Sequence, residues 1–319
     1  MKMLFGIEHA ASALTGPQSS GSVVTVGAFD GVHRGHKALF TTVAHVAADR
    51  GMAAVIVTFD PHPARFLLGS DEYRCLATRD ENLALLAVEP VDYAVVLEFN
   101  AEFAALTPRE FAERIVVGAL NTQCWVMGPT HRFGRGGAGD VEEAKRLGVA
   151  LGFDVLVTGS EVEDGDLVSS TRIRDAIAQG DVALARRMLG RPYGIAGQVA
   201  PGERRGRSLG FPTANIAPSP CKVLPPAGVY AATAAIDGGN AMPAAAYVGR
   251  SPTFQGRSAT IVECHILENG EGQEIPDLYG HRLDVMFIER LREERRFAGP
   301  AELAAQIGRD VAQAARILS

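Results

Sequence analysis

Two histidines three residues apart, His33 and His36, lie in VGAFDGVHRGHKALF (26–40), between a β-branched run and a run with helical spacing. A strand that turns through glycines into a helix leaves backbone N–H groups and the positive end of the helix dipole at the turn, a ready anion site. Imidazoles on one side of the first helical turn add donors to it. The residues alone equally allow a Gly-rich turn whose histidines cap a helix. Three further segments carry related chemistry. TFDPHP (58–63) closes a strand with Asp60 and His62 in a Pro-fixed turn, and GPTHRFGRGGAGD (128–140) is a basic, Gly-rich loop ending at Asp140. VSSTRIR (168–174) sets Ser169, Ser170 and Thr171 at a helix start before Arg172 and Arg174, a combination suited to a polyphosphate.

A second cluster lies in PGERRGRSLGFPTANI (201–216). Gly206, Arg207 and Gly210 form a flexible basic loop whose exit is stiffened by Phe211–Pro212. Thr213 and Asn215 project to the same side of an extended segment. A hydroxyl and an amide carbonyl are hard oxygens that suit Mg²⁺ held jointly with nucleotide phosphates; read alone, the segment is a routine polar turn. Glu263, in ATIVECHIL, shares a strand face with Ile261 and His265. A carboxylate among β-branched apolar neighbours is costly to bury without a partner or a task.

The elements that must hold these residues fall into two textures. SVVTVGAF (22–29), AAVIVTF (53–59), VDYAVVLEF (91–99), CWVMG (124–128) and FDVLVTG (153–159) read as buried strands separated by helical segments. That alternation predicts right-handed crossovers and a Rossmann-like parallel sheet covered on both faces. Thr107 followed by Pro108 predicts a capped helix start. From residue 190 onward, short strands separated by turns such as PPAG and DGGN predict an antiparallel β-barrel. A final amphipathic helix is expected over 300–318, and the stretch 291–314 leading into it carries dense alternating charge, the mark of a solvated surface element. The boundary is expected at 187/188, giving domains 1–187 and 188–319.

Composition narrows the function. A formal net charge of −6 argues against a dedicated nucleic-acid binder. The four cysteines, Cys75, Cys124, Cys221 and Cys264, have neither metal-ligand nor redox spacing, which predicts reduced thiols. No apolar run reaches membrane-spanning length, and the N-terminus lacks the hydrophobic stretch of a secretory signal, so a cytoplasmic protein is expected. Oligomeric state is not legible.

In their order along the chain, GAFDGVHRGH, TFDPHP, the loop 128–140 and VSSTRIR resemble the His-x-x-Gly-His nucleotidyltransferases. More closely they resemble the FMN adenylyltransferase module of bacterial bifunctional riboflavin kinase/FAD synthetases. GRSLGFPTAN, PPAGVYAA, VGRSPTF, ATIVECHIL, DLYG and LREERRF resemble the riboflavin kinase domain of the same family, over about 190 to the C-terminus. The resemblance implies two ATP- and Mg²⁺-dependent steps: riboflavin to FMN, and FMN to FAD with release of pyrophosphate. It implies His33 and His36 on the ATP phosphates, Arg172 on the departing pyrophosphate, and Gly27, Phe29, Asp30, Gly31, Ser169 and Thr171 around them. His62 and Asp140 are flavin-binding candidates. In the second half it implies phosphate contacts from Gly206, Arg207 and Gly210, metal ligation by Thr213 and Asn215, and Glu263 as proton acceptor for the flavin hydroxyl. Pro129-Thr130-His131 depart from the family's usual Asn or Asp followed by Phe, and Glu268-Asn269 from its usual Asp-Phe. Two other readings therefore stand beside the first: a riboflavin kinase whose first domain no longer transfers adenylyl groups, and a flavin- or nucleotide-binding regulator without turnover.

Overall fold

The computed structural model describes residues 1–17, 19–69, 73–200, 210–252, 258–267 and 278–319. By packing, the chain divides into Met1–Ser170 and Thr171–Ser319.

The first unit is a six-stranded sheet in the order β1-β4-β3-β2-β5-β6. Its strands are β1 (Lys2–Phe5), β2 (Ser22–Val26), β3 (Ala53–Asp60), β4 (Tyr93–Glu98), β5 (Thr122–Met127) and β6 (Asp154–Val157). Every neighbouring pair is parallel. Successive side chains alternate between two apolar layers, as strand geometry requires. Val23, Ile56, Cys124 and Val126 pack with Phe40 and Val43 of helix α1 (Arg34–Arg50) on one face. Val24, Val55, Trp125 and Met127 pack with Phe111, Ile115 and Leu147 on the other. Thr107 caps the Pro108 helix as expected, in a capping box with Glu110. Strand β1 was not among the five expected: it is four residues long, and only Leu4 is buried, so it carries almost no pattern. The chain runs outward from β2 to β3 and β4, then crosses back to β5 on β2's other side. The carboxyl ends of β2 and β5 thus flank the topological switch point, where open α/β sheets bind ligands.

The second unit contains a closed barrel in the order β10-β13-β12-β11-β14-β9. These strands are β9 (Tyr193–Ala200), β10 (Ala214–Ile216), β11 (Gly228–Ile236), β12 (Met242–Pro252), β13 (Ser258–Ile266) and β14 (Arg282–Glu293), and all pair antiparallel. A two-stranded ribbon in the first unit, β7 (Val162–Glu163) and β8 (Asp166–Leu167), completes the set. Tyr230, Val248, Val262, Cys264, Val285 and Phe287 are all at most 1% exposed and alternate with outer-face residues, so the barrel is filled by side chains.

The terminal helix, Pro300–Leu318, packs Val311, Ala314 and Leu318 against Ala231, Ala245 and Leu291. Its charge is not all solvated. Asp310 is buried and accepts from Arg292 Nε (3.0 Å), Arg292 Nη2 (2.8 Å) and Gln306 Nε2 (2.7 Å). A buried carboxylate is tolerated when its lone pairs are met in this way. Val182, Ala185, Met188 and Leu189 are the buried face of a helix (Val182–Leu189) that contacts β9 and β14, which is why packing divides the chain ahead of residue 187. Among the described residues no helix is long and apolar enough to cross a membrane.

Candidate active sites

After β2 the backbone turns within a few residues. Phe29, Gly31 and Val32 have φ of 49°, 75° and 38°, all in the left-handed region. A Cβ at Gly27 would fall 2.7 Å from the Phe29 ring, so only glycine lets that ring fold back. Phe29 then meets the edges of His36 (5.1 Å between ring centres) and Phe40 (4.9 Å).

His33 is buried and caps α1, its Nδ1 accepting from the His36 N–H at 3.3 Å. Nδ1 must therefore be unprotonated, and in neutral His33 the proton sits on Nε2. The two imidazoles stack at 3.5 Å and 22°. Burial, and then the neighbouring His33, hold the His36 pKa well below 6.5. Two stacked rings cannot both be charged at little cost, whereas an incoming polyphosphate would favour the protonated form. The sequence placed both histidines on one side of a helix start, and the structure does the same.

Asp30 takes a different position. Its carboxylate is buried and accepts from the N–H of Leu76 (3.0 Å), the N–H of Ala77 (3.1 Å) and the Tyr73 hydroxyl (3.0 Å). These bonds tie the loop to 73–77, and the Gly31 N–H donates to Asn82 Oδ1 at 3.0 Å. Segment 73–82 carries no motif, and its part in the site was missed. His62 caps the six-residue helix Pro63–Leu68 through Nδ1, which accepts from the Ala64 N–H at 3.1 Å; its ring stacks on Tyr73 at 4.5 Å. Asp140 caps the helix Val141–Leu151 by accepting from the Glu143 N–H at 3.0 Å, and it pairs with Arg132 at 3.3 Å. Both flavin candidates thus have local structural work.

The helix Ser170–Gln179 follows Ser169, and the Ser170 hydroxyl donates to the Asp30 carbonyl at 3.0 Å. Thr171 is exposed on that helix and Arg172 half-buried. In the loop after β5, the His131 ring lies 5.8 Å from Trp125 and 6.2 Å from Phe133, and burial pushes its pKa down to about 4. Its Nε2 has no hydrogen-bond partner among the described residues. A cavity of about 500 Å³, lined by Arg50, Cys124 and Asp154 among others, opens where β5 and β6 begin, at the sheet end opposite the histidines.

In the barrel, Asn215 on β10 lies directly opposite Glu263 on β13. Tyr247 on β12 lies directly opposite Glu263 on its other side. Cross-strand partners share a face, so Asn215, Glu263 and Tyr247 form one row on the outside of the barrel, each half-buried. Thr213, two residues before Asn215, is half-buried as well. Sequence reading put Glu263 on a face with Ile261 and His265, which register and burial agree with. His265 Nδ1 lies 2.8 Å from the Pro212 carbonyl, which can only accept, so Nδ1 carries the proton. With the edge contact from Phe211 to the His265 ring (5.6 Å), this bond fixes the chain leading into Thr213. Tyr247 donates to Glu294, and burial first, then that bond, raise its pKa. Neither His265 nor Tyr247 was named as a site residue; only the register exposes Tyr247. Gly210 is exposed with φ of 85°, while Gly206, Arg207 and Glu268-Asn269 lie outside the described residues.

Similarity to known proteins follows the same division. A family model of FAD synthetase matches residues 16–172, and one of riboflavin kinase matches 189–318. A protein of Escherichia coli strain K12 named bifunctional riboflavin kinase/FMN adenylyltransferase is 38% identical over 311 residues, covering 97% of this chain and 96% of its own. Relatives of the same name are 39% identical in Pseudomonas fluorescens (95% and 94% covered) and 33% in Bacillus subtilis (93% and 93%). A solved structure titled macrolide-efflux protein, from Streptococcus pneumoniae, superposes with a TM-score of 0.84 at 29% identity, over 97% of each chain. Two family models in tandem, on a parallel sheet bearing stacked histidines and a barrel bearing the Asn215–Glu263 pair, lead to one assignment: the chain belongs to the bifunctional riboflavin kinase/FMN adenylyltransferase family.

Proposed function

We propose that the chain phosphorylates riboflavin to FMN in its barrel unit and adenylylates FMN to FAD in its parallel-sheet unit, using ATP in both. In the barrel, the flavin 5′-hydroxyl is neutral and a weak nucleophile. Glu263 takes its proton as the oxygen bonds to the γ-phosphorus of ATP and ADP leaves. Thr213 and Asn215, a hydroxyl and an amide oxygen, fit Mg²⁺, which when bound neutralises charge on the ATP phosphates. Gly206, Arg207 and Gly210 complete the phosphate contacts. His265 holds the Phe211–Thr213 segment through Pro212.

In the sheet unit the nucleophile is the FMN phosphate, already an anion. Its oxygen bonds to the α-phosphorus of ATP, the bond to the β-phosphate breaks, and pyrophosphate departs. No proton has to be removed, so alignment and charge neutralisation suffice. His33 and His36 supply donors to the ATP phosphates, Ser169 and Thr171 help to position those groups, and Arg172 serves the departing pyrophosphate. Gly27 and Gly31 let the backbone approach, Phe29 orients His36, and Asp30 shapes the loop. Asp140 remains the flavin candidate of this unit, while His62 serves the loop through its helix cap and its stack on Tyr73.

The observation that supports this reading is the register that sets Asn215 directly opposite Glu263; in this reading Asn215 offers an oxygen to the metal and Glu263 is the base. In the sheet unit, by contrast, the carboxylate nearest the histidines in sequence is occupied by backbone amides. The spacing of the four cysteines, neither metal-ligand nor redox in pattern, favours a reducing cytoplasm as its place. Incubation with riboflavin and Mg-ATP, followed by chromatography, tests the proposal. FMN should appear first and FAD after it. Accumulation of FMN alone would identify a kinase only, and no product a binding protein.

A further inference from the structure

Between the His62 turn and the His33 loop, the side chains of three segments meet end to end. His62 Nδ1 accepts from the Ala64 N–H, so neutral His62 carries its proton on Nε2. Nε2 lies 3.1 Å from the Tyr73 oxygen and donates to it. Tyr73 in turn has its own proton for Asp30, 3.0 Å away. Directionality is therefore fixed along the whole chain, from His62 through Tyr73 to Asp30. Tyr73 is 6% exposed and Asp30 4%, so the bond between them is shielded from competing water.

What the chain of bonds holds is an unfavourable backbone. Phe29, Gly31 and Val32 are three of four consecutive residues at positive φ, and Val32 is β-branched. Such conformations persist only where the surroundings over-determine them. Asp30 sits in the middle of that stretch, and its carboxylate receives Tyr73 and two backbone amides. Three residues later His33 begins α1 and stacks on His36. A change at Tyr73 thus reaches the imidazoles through the loop that sets them.

We infer that Tyr73 is a positioning residue for adenylyl transfer, acting through Asp30 on the placement of His33 and His36, and that His62 acts mainly through Tyr73. The inference rests on the proposed reaction at the two histidines.

Tyr73→Phe removes one oxygen and keeps the stacked ring. It should lower kcat for FAD formation about 10-fold, the scale of outer-shell positioning groups, with KM for ATP and FMN within about twofold. FMN formation from riboflavin, a barrel reaction, should be unchanged, and a parent-like thermal midpoint by Trp125 fluorescence reports that the sheet unit is folded. His62→Asn keeps an oxygen cap for the Ala64 N–H and loses the Nε2 donor; it should match Tyr73→Phe. The double variant should be no worse than about twofold below the weaker single variant, since both changes break one chain. Full kcat in Tyr73→Phe would overturn the inference, as would multiplied losses in the double variant, which would give His62 an independent role. His36→Ala separates the layers: if it spares FAD formation, the reaction assignment fails; if it abolishes FAD formation while Tyr73→Phe keeps full kcat, only the positioning role fails.

Discussion

The parallel-sheet unit builds its polar groups from loops and helix starts at the carboxyl ends of strands, whereas the barrel builds its own from adjacent strands. In the first, His33 and His36 owe their stacking to a turn with three residues at positive φ, held by segment 73–82. In the second, Asn215, Glu263 and Tyr247 are aligned by ladder register alone. The difference matches the two nucleophiles. An anionic phosphate needs donors at a helix start and no base, and helix starts supply donors. A neutral alcohol needs a carboxylate at fixed distance from a metal, and cross-strand neighbours supply fixed distances.

The largest effect that could break this contrast is at Glu263, the proposed base. Glu263→Gln keeps shape and loses the proton acceptor; kcat for riboflavin phosphorylation should fall roughly 10²- to 10⁴-fold, with KM for ATP little changed. Steady-state kinetics would check it, and near-normal turnover would place the base elsewhere. Next comes His36→Ala, expected to lower FAD formation from FMN roughly 10²- to 10³-fold, the usual loss for a donor to developing charge, with phosphorylation intact. A smaller effect belongs to His265→Leu, which breaks the tether to Pro212. KM for Mg-ATP in the kinase reaction should rise about 10-fold as Thr213 loses its fixed approach.

A further effect, on stability rather than on turnover, belongs to the sheet unit. His131 would bind a proton near pH 6.5 when unfolded but near pH 4 when folded. Between those values the unfolded chain holds more protons, so stability falls as pH drops through that window, by roughly 2–3 kcal/mol. His36, also held down by burial, acts in the same direction. Trp125 is the only tryptophan and lies beside His131, so its fluorescence reports unfolding of this unit. Thermal midpoints measured from pH 7 to pH 4.5 should fall less steeply in His131→Phe than in the parent chain. Parallel curves would show that His131 is not the group that titrates.

Much of this was legible from residue order. Periodicity gave five of the six parallel strands and the barrel, because buried strands must be apolar and turns must be Gly/Pro-rich. His33, His36 and Glu263 stood out by type and spacing, and Asn215, in a routine polar turn when read alone, through the family resemblance. Other features left no local trace. β1 is too short to show alternation. Tyr73 is one aromatic in YRCLATRDEN, and its bonds to residues 11 and 43 positions away exist only after folding. Tyr247 faces Glu263 through register, which pattern alone does not assign. Asp310 sits in a charged helix that reads as solvated, yet it meets Arg292 from another element. The bonds of Asp30 were hidden for the same reason: its carboxylate meets two backbone amides and Tyr73 only after folding.

The central claim is that one chain holds two chemically distinct sites, one with a base and one without. It is tested most directly by a crossed assay of Glu263→Gln and His36→Ala, each supplied with Mg-ATP and either riboflavin or FMN. Glu263→Gln should make no FMN from riboflavin yet convert supplied FMN to FAD at the parent rate. His36→Ala should make FMN and stop there. Loss of both activities in either folded variant would contradict the account.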